Sequence, residues 1–244
     1  MRKSKYLVLS SFYFDFNDDL SEIKEIKELF ENQNILDLER FIKITNIKFD
    51  FEFYNLNFIY LHKNIESLDE YVFMRKKIQI LDLSNCIKLK YIGVNAFNSN
   101  QIKQLKLPKN IETLSFSSFA YNKIQNLDLS NCIKLKNIEE YAFKENQIKQ
   151  LKLPKNIEIL DKYTFFINQI EILDLSNCTQ LKEIDENAFL NNPLNEIKIL
   201  DNINIDYYEN NDDLWNKFAK YYHKNDKKAG DYKYIDNKWQ WYPL

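Results

Sequence analysis

Across residues 56–200 the apolar positions follow a rhythm with alternating intervals of 22 and 24 residues. Apolar residues lead successive units at Leu56, Ile78, Ile102, Ile124, Ile148, Ile170 and Leu194. The longer unit reads I-x-x-L-D-L-S-N-C-x-x-L-K-x-I-x-x-x-A-F and begins at Ile78, Ile124 and Ile170. The shorter reads I-K-x-L-K-L-P-K-N-I-E-x-L-x-x-x-x-F at Ile102 and Ile148, and more loosely at Leu56. A partial unit at Leu194 keeps Ile197 and Ile199. A fixed period of this size is the mark of a repeat architecture. Each apolar–x–apolar block, such as Leu81 and Leu83 around Asp82, predicts a short strand with two side chains inward and one outward. The second half of a unit brings Leu89, Ile92, Ala96 and Phe97 inward, on a predicted short helical or 3₁₀ segment. Asn85, Asn131 and Asn177 stand at the turn out of the strand, where an Asn side chain can bond the backbone of neighbouring coils. One coil cannot bury this apolar set alone, so stability comes from stacking.

Residues 1–55 and 201–244 leave the rhythm. The sequence therefore divides into an N-terminal cap, a solenoid over 56–200 and a C-terminal cap. Tyr6–Phe16 predicts a strand, and Leu20, Ile23, Ile26, Leu29 and Phe30 an amphipathic helix over 19–32. Residues 35–42 read either as a second short helix or as a worn coil, because their ILDL echoes the later LDL strands. Ile47, Phe49, Phe51 and Phe53 alternate with polar residues, as in a half-buried strand. Near the other end, Leu214, Trp215, Phe218, Tyr221 and Tyr222 predict a helix over 212–223. Tyr232–Tyr234 and Lys238–Tyr242 predict a hairpin around Ile235, Asp236 and Asn237. All three tryptophans fall in this last segment. It reads as a cap over the last coil or as an aromatic ligand patch.

The units LKLPKNIETLSFSSF and LDLSNCIKLKNIEEYAF resemble the leucine-rich repeat, and within it the bacterial Treponema-type, BspA-like subclass. The resemblance runs over about residues 56–200. It implies an α/β solenoid of about seven coils with a parallel sheet on its concave face. It also implies a role in binding, as in cell-surface adhesion or host-interaction modules. The segment after residue 200 is similar, more weakly, to the C-terminal tails of such proteins.

Composition narrows the function classes. The net charge of −2 argues against a general nucleic-acid or membrane-surface binder, both of which need a basic excess. With two Gly and four Pro there is no flexible linker. The apolar stretch from Tyr6 to Phe14 follows a basic start but runs into Asp15, Asp18 and Asp19 without a small-residue cleavage site, so a buried strand explains it better than a signal peptide. No run approaches the ~18–20 apolar residues of a membrane helix. Without an export signal the chain is expected in the cytoplasm; the family resemblance points instead to the cell surface or secretion.

Catalytic sets fail on arithmetic. Cys86, Cys132 and Cys178 repeat at 46-residue intervals, one per long unit. Two coils with strands ~4.8 Å apart separate neighbouring cysteines by about 10 Å. That is too far for a disulfide and for shared zinc ligation, so these are free thiols acting as small buried hydrophobes. Only His62 and His223 could act as imidazole bases, and the cysteines recur where Pro108 and Pro154 replace His62. No Gly-rich phosphate loop exists. No catalytic residue, metal or cofactor is expected, and the protein is read as non-enzymatic.

The outward strand positions carry the binding expectation. Their central column is Tyr60, Asp82, Lys106, Asp128, Lys152, Asp174 and Lys198. Aspartate and lysine alternate, predicting a cross-strand ion-pair ladder that also presents a zwitterionic recognition surface. Phe58, Tyr60, His62 and Ile80 make the N-terminal end of this face its most aromatic and apolar part. Partner contact with a protein or peptide is placed on this concave face. The alternative is a structural, self-associating solenoid.

Overall fold

The computed structural model describes residues 5–9, 12–16, 35–37, 44–49, 58–61 and 63–243. The predicted helix over 19–32, with Phe51 and Phe53, lies outside the described residues. An antiparallel hairpin of β1 (Lys5–Leu9) and β2 (Phe12–Phe16) begins the chain. Strands then alternate between two sides of a stack. One side carries β3 (Ile35–Asp37), β5 (Phe58–Tyr60), β7 (Ile80–Asp82), β9 (Gln104–Lys106), β11 (Asn126–Asp128), β13 (Gln150–Lys152), β15 (Ile172–Asp174) and β17 (Glu196–Ile199). The other carries β4 (Ile44–Phe49), β6 (Ser67–Leu68), β8 (Tyr91–Ile92), β10 (Thr113–Leu114), β12 (Asn137–Ile138), β14 (Ile159–Leu160), β16 (Glu183–Ile184) and β18 (Asn204–Ile205). Residues 35–42 thus begin with a strand, the coil alternative rather than the helical one: β3 pairs in parallel with β5.

The even-numbered strands form one ten-stranded sheet with β1 and β2 at its end, parallel from β4 onward. The odd-numbered strands do not. They bond in twos: β7 with β9, β11 with β13, β15 with β17, each over three residues. The intervening junctions carry one paired position between β5 and β7, Phe58 with Ile80. Between β9 and β11, and between β13 and β15, the ladder is interrupted. Every loose junction follows a short unit.

The corner holding Ala96–Phe97 and its equivalents is a chain of turns rather than the expected helical segment. Two residues per coil adopt the left-handed conformation there, such as Asn95 (φ 55°) and Ser99 (φ 56°). This aims alternate N–H groups down the stack. Asn95, Phe97 and Ser99 donate to the carbonyls of Phe116, Ser118 and Ala120 in the next coil. A helix would have spent those donors within one coil and left the stack without them.

Two side-chain columns line this corner. Phe73, Phe97, Phe119, Phe143, Phe165 and Phe189 stack with ring centroids 5.2–5.7 Å apart. Beside them runs a buried asparagine ladder of Asn100, Asn122, Asn146, Asn168 and Asn192. Each Oδ1 accepts the N–H of the residue leading its own unit, as Asn122 does from Ile102 at 3.0 Å. Each Nδ2 donates to two phenylalanine carbonyls, one in its own coil and one in the coil before. The asparagines expected to do this, Asn85, Asn131 and Asn177, lie exposed instead. At their corner the bond to the neighbouring coil comes from Asn110 and Asn156, which donate to the carbonyls of Ile87 and Ile133.

The last coil is covered by α1 (Leu214–Lys224), β19 (Gly230–Ile235) and β20 (Lys238–Tyr242). Asp213 caps α1 by accepting from the Trp215 N–H at 2.8 Å, and its second oxygen accepts from Asn191 at 3.0 Å. β19 pairs antiparallel with β17, and Asp236 and Asn237, both at positive φ, turn the chain into β20. Trp215 continues the phenylalanine column, 5.0 Å from Phe189. Trp215 and Trp239 are buried, and the Trp241 indole N–H donates to the Ala229 carbonyl.

Candidate partner-binding face

The odd-numbered strands hold the described residues that the sequence nominates for binding. Ile80, Asp82, Lys106, Asp128, Lys152 and Asp174 all point outward. Lys198 shares the column, in β17. Phe58 and Tyr60 lie in β5, but their side chains, like the whole of His62, lie outside the described residues.

The ladder is not continuous. Lys106 meets Asp82 at 3.0 Å and Lys152 meets Asp128 at 3.8 Å, each pair inside a bonded doublet. Lys106 and Asp128 face each other across an interrupted junction and form no pair. The third doublet also departs, because Lys198 turns to Glu196 in its own strand at 3.6 Å. Glu196 is shared with Lys233 of β19, so the C-terminal hairpin draws the last lysine away from Asp174.

The aspartates have a second task. Asp82, Asp128 and Asp174 each accept both the N–H and the hydroxyl of the serine two residues on. These Asx turns explain the LDLS motif: the carboxylate ends the strand. Partial burial pulls the Asp82 carboxyl upward, but the Ser84 hydroxyl, Lys106 and the Ser84 amide outweigh it and hold it below its usual range. At Asp128 the Ser130 hydroxyl is the main cause of the same lowering.

Sequence reasoning missed a second ladder, on the ten-stranded side. Glu158 lies 2.8 Å from both Lys136 and Lys182, and Glu112 bridges Lys90 and Lys134 at 3.8 Å. Lys136 and then Lys182 hold the Glu158 carboxyl down to about 2. The signal was available as the alternation Glu66, Lys90, Glu112, Lys136, Glu158, Lys182 at one position of each unit. Three positions further on runs an acidic column, Glu139, Asp161, Asp185 and Asp206. Burial, then Asp185 and its other acidic neighbours, pushes the Asp161 carboxyl up to about 6. Among the described residues one group is close enough to hold a metal ion: Asp185, Glu186 and Asp206, with ligand atoms within 4.8 Å of one another. Its Glu186 already accepts from the Tyr208 hydroxyl at 2.6 Å and pairs with Lys162 at 3.1 Å.

An aromatic cluster, also unforeseen, sits at the turn corner. Tyr141 stacks on Tyr163 at 5.0 Å and meets Phe116 edge-on at 5.4 Å, while the Lys144 ammonium lies 5.1–5.6 Å from the rings of Tyr121, Tyr141 and Phe166.

No described residue is poised as a nucleophile in the manner of a Cys–His pair. The three thiols are buried and form no disulfide with one another, and Cys86 donates to the Leu61 carbonyl. Burial pushes Cys132 up to about 11 and Cys178 up to about 12, so neither is a thiolate at neutral pH. His223 spends Nε2 on the Ile205 carbonyl at 2.8 Å. No described helix is long and apolar enough to cross a membrane.

A stack of parallel coils with buried leucines, a phenylalanine column and an asparagine ladder defines a leucine-rich repeat solenoid. The sequence profile of the BspA type Leucine rich repeat region (6 copies) matches residues 23–134 and 90–213, and the chain belongs to that family. No curated protein matches it. Repeat proteins of this kind suggest a protein-interaction module, and their solenoid is typically a scaffold rather than an enzyme.

Proposed function

We propose that the chain is a non-enzymatic interaction module that binds a protein or peptide on the face of the odd-numbered strands. The supporting observation is the state of its ion pairs. The lysines of Asp82–Lys106 and Asp128–Lys152 are 71% and 72% exposed, so a partner can take over their charges at little cost. The buried Cys132 and Cys178 thiols, protonated at neutral pH, support a non-enzymatic role. Placement at the cell surface follows from the resemblance and belongs to the same proposal.

The test is a crosslinking pull-down from the source cells with surface and soluble fractions kept apart, comparing the wild-type chain with Lys106→Glu/Lys152→Glu. The expected result is a partner captured by the first and lost by the second. Capture that survives both reversals excludes this face.

A second reading, self-association, draws on the acidic column of the ten-stranded side, whose charge complements the lysines opposite. Sedimentation velocity at low salt tests it, with a concentration-dependent oligomer as its signature.

A further inference from the structure

The interrupted junctions expose what the rest of the sheet hides. Leu105, Leu107, Leu151 and Leu153, beside the openings, retain 7–9% exposure, against 2% or less for the leucines of β7, β11 and β15. Between β13 and β15 the opening widens into a groove of about 950 Å³, with Leu151 and Leu153 on one wall and Ile172 on the other. Ile133 and Ile172 stand at its rim, 49% and 55% exposed. Lys152 spends its carbonyl on the Leu129 N–H of the preceding strand. The alternation of a parallel ladder therefore turns the amide groups of Leu151 and Leu153 toward the groove.

Charge marks the occupant. Lys149 and Lys155 line the groove and form no ion pair among the described residues. The same holds for Lys103 and Lys109 at the corresponding places beside the β9–β11 opening. Two carboxylates line the groove, Glu171 and Asp174, and Asp174 is engaged by Ser176. Apolar rims, outward amides and unpaired lysines repeated in successive short units suit an extended chain that alternates acidic and apolar side chains.

We propose that the groove between β13 and β15 docks an extended acidic–apolar segment of a partner protein, with Lys149 and Lys155 taking its carboxylates and Ile133 and Ile172 its apolar side chains. This rests on the reading of the chain as an interaction module and names the chemistry of its partner.

The experiment is fluorescence anisotropy of a labelled alternating Glu-Leu peptide with the full chain at low salt. An alternating Lys-Leu peptide and a single-stranded oligonucleotide serve as comparison probes. The Glu-Leu peptide is expected to bind and the Lys-Leu peptide not to. Lys149→Glu/Lys155→Glu should weaken binding by roughly tenfold, the loss of two exposed charge pairs. Ile172→Asp should weaken it as well, and Lys238→Glu on the distant hairpin should leave it unchanged, with circular dichroism confirming that each variant folds. Equal affinity for wild type and double reversal overturns the proposal. So does tighter binding of the oligonucleotide, or a self-associated species in sedimentation that the double reversal abolishes. If the peptide fails while Lys106→Glu/Lys152→Glu still loses its captured partner, the groove is wrong and the interaction module stands.

Discussion

Asn146 and Ile124, at the two ends of one 24-residue unit, are joined: the Asn146 Oδ1 accepts the Ile124 N–H at 3.1 Å. The same side chain donates to the carbonyls of Phe119 and Phe143 at 3.0 and 3.2 Å. Removing it orphans several buried backbone groups at once. Asn146→Ala is expected to cost about 2–4 kcal/mol, since each unsatisfied group costs ~1–3 kcal/mol and relaxation recovers part. Asn131→Ala, at an exposed asparagine, should stay within about 0.5 kcal/mol. Urea titration compares the two, and equal losses would refute a ladder role for Asn146.

Phe143 lies between Phe119 at 5.5 Å and Phe165 at 5.7 Å, fully buried. Phe143→Ala should cost about 3–5 kcal/mol, combining lost transfer energy with an unfilled cavity. Phe143→Leu should cost less than the alanine change. Thermal unfolding followed by circular dichroism ranks the pair, and a ranking in the other order would contradict core packing as the cause.

Ile167 holds φ at 54°, a left-handed conformation that suits a β-branched residue poorly. The equivalent position one coil on is Asn191, at φ 57°. Ile167→Asn keeps the bond from its N–H to the Leu190 carbonyl and removes the steric penalty. The variant should gain about 1 kcal/mol. Ile167 is 39% exposed, so little burial is lost in exchange. An unchanged or lower denaturation midpoint would refute the strain argument.

How much of this was legible varies with the physics. The coil register was readable because leading residues such as Ile78 and Ile124 are fully buried, and burial enforces an apolar identity. Asn100 and Asn122 stand two residues before the leading isoleucine of the next unit, a constant position, yet they are hidden in a chain rich in asparagine. Asn131 looks equally placed and is exposed. The strand doublets follow the alternation of long and short units, but neither motif says which of the two junctions is bonded; only backbone geometry separates the bonded junction from the open one. The charge alternation was readable, but Lys198 was diverted by Glu196 and Lys233, a contact that the hairpin creates far along the chain.

Cys132 and Cys178 are buried, with thiols pushed up to about 11 and 12. At mildly alkaline pH they should ignore an aromatic disulfide reagent while the chain is folded and react in denaturant. A plateau of released thiolate before denaturation would show that the stack opens locally around them. Cys132→Ser should leave the fold less stable, because it places a hydroxyl in an apolar site.

Asp161 gives the sharpest pH signature. Its carboxyl sits at about 6 in the folded chain, pushed up by burial and by Asp185, Glu139, Glu140 and Glu183. The unfolded chain releases that proton near ~4. Between those values the folded state binds more protons than the unfolded one, so stability falls as pH rises through the window and stays reduced above it. Below the unfolded value both states are protonated and the difference vanishes. Glu158 has the opposite sign: held down to about 2 by Lys136 and Lys182, it contributes above the usual glutamate range, and that contribution is lost as pH falls toward 2. A difference measurement isolates Asp161 from such groups. Asp161→Asn should stabilise the chain at neutral pH, with the gain shrinking toward pH ~4, where the wild-type carboxyl is protonated in both states. Raising the salt concentration should narrow the gap at neutral pH, because part of the repulsion is screened. Denaturation midpoints across the range decide it, and a gain that does not change with pH would show that the acidic column is not the cause.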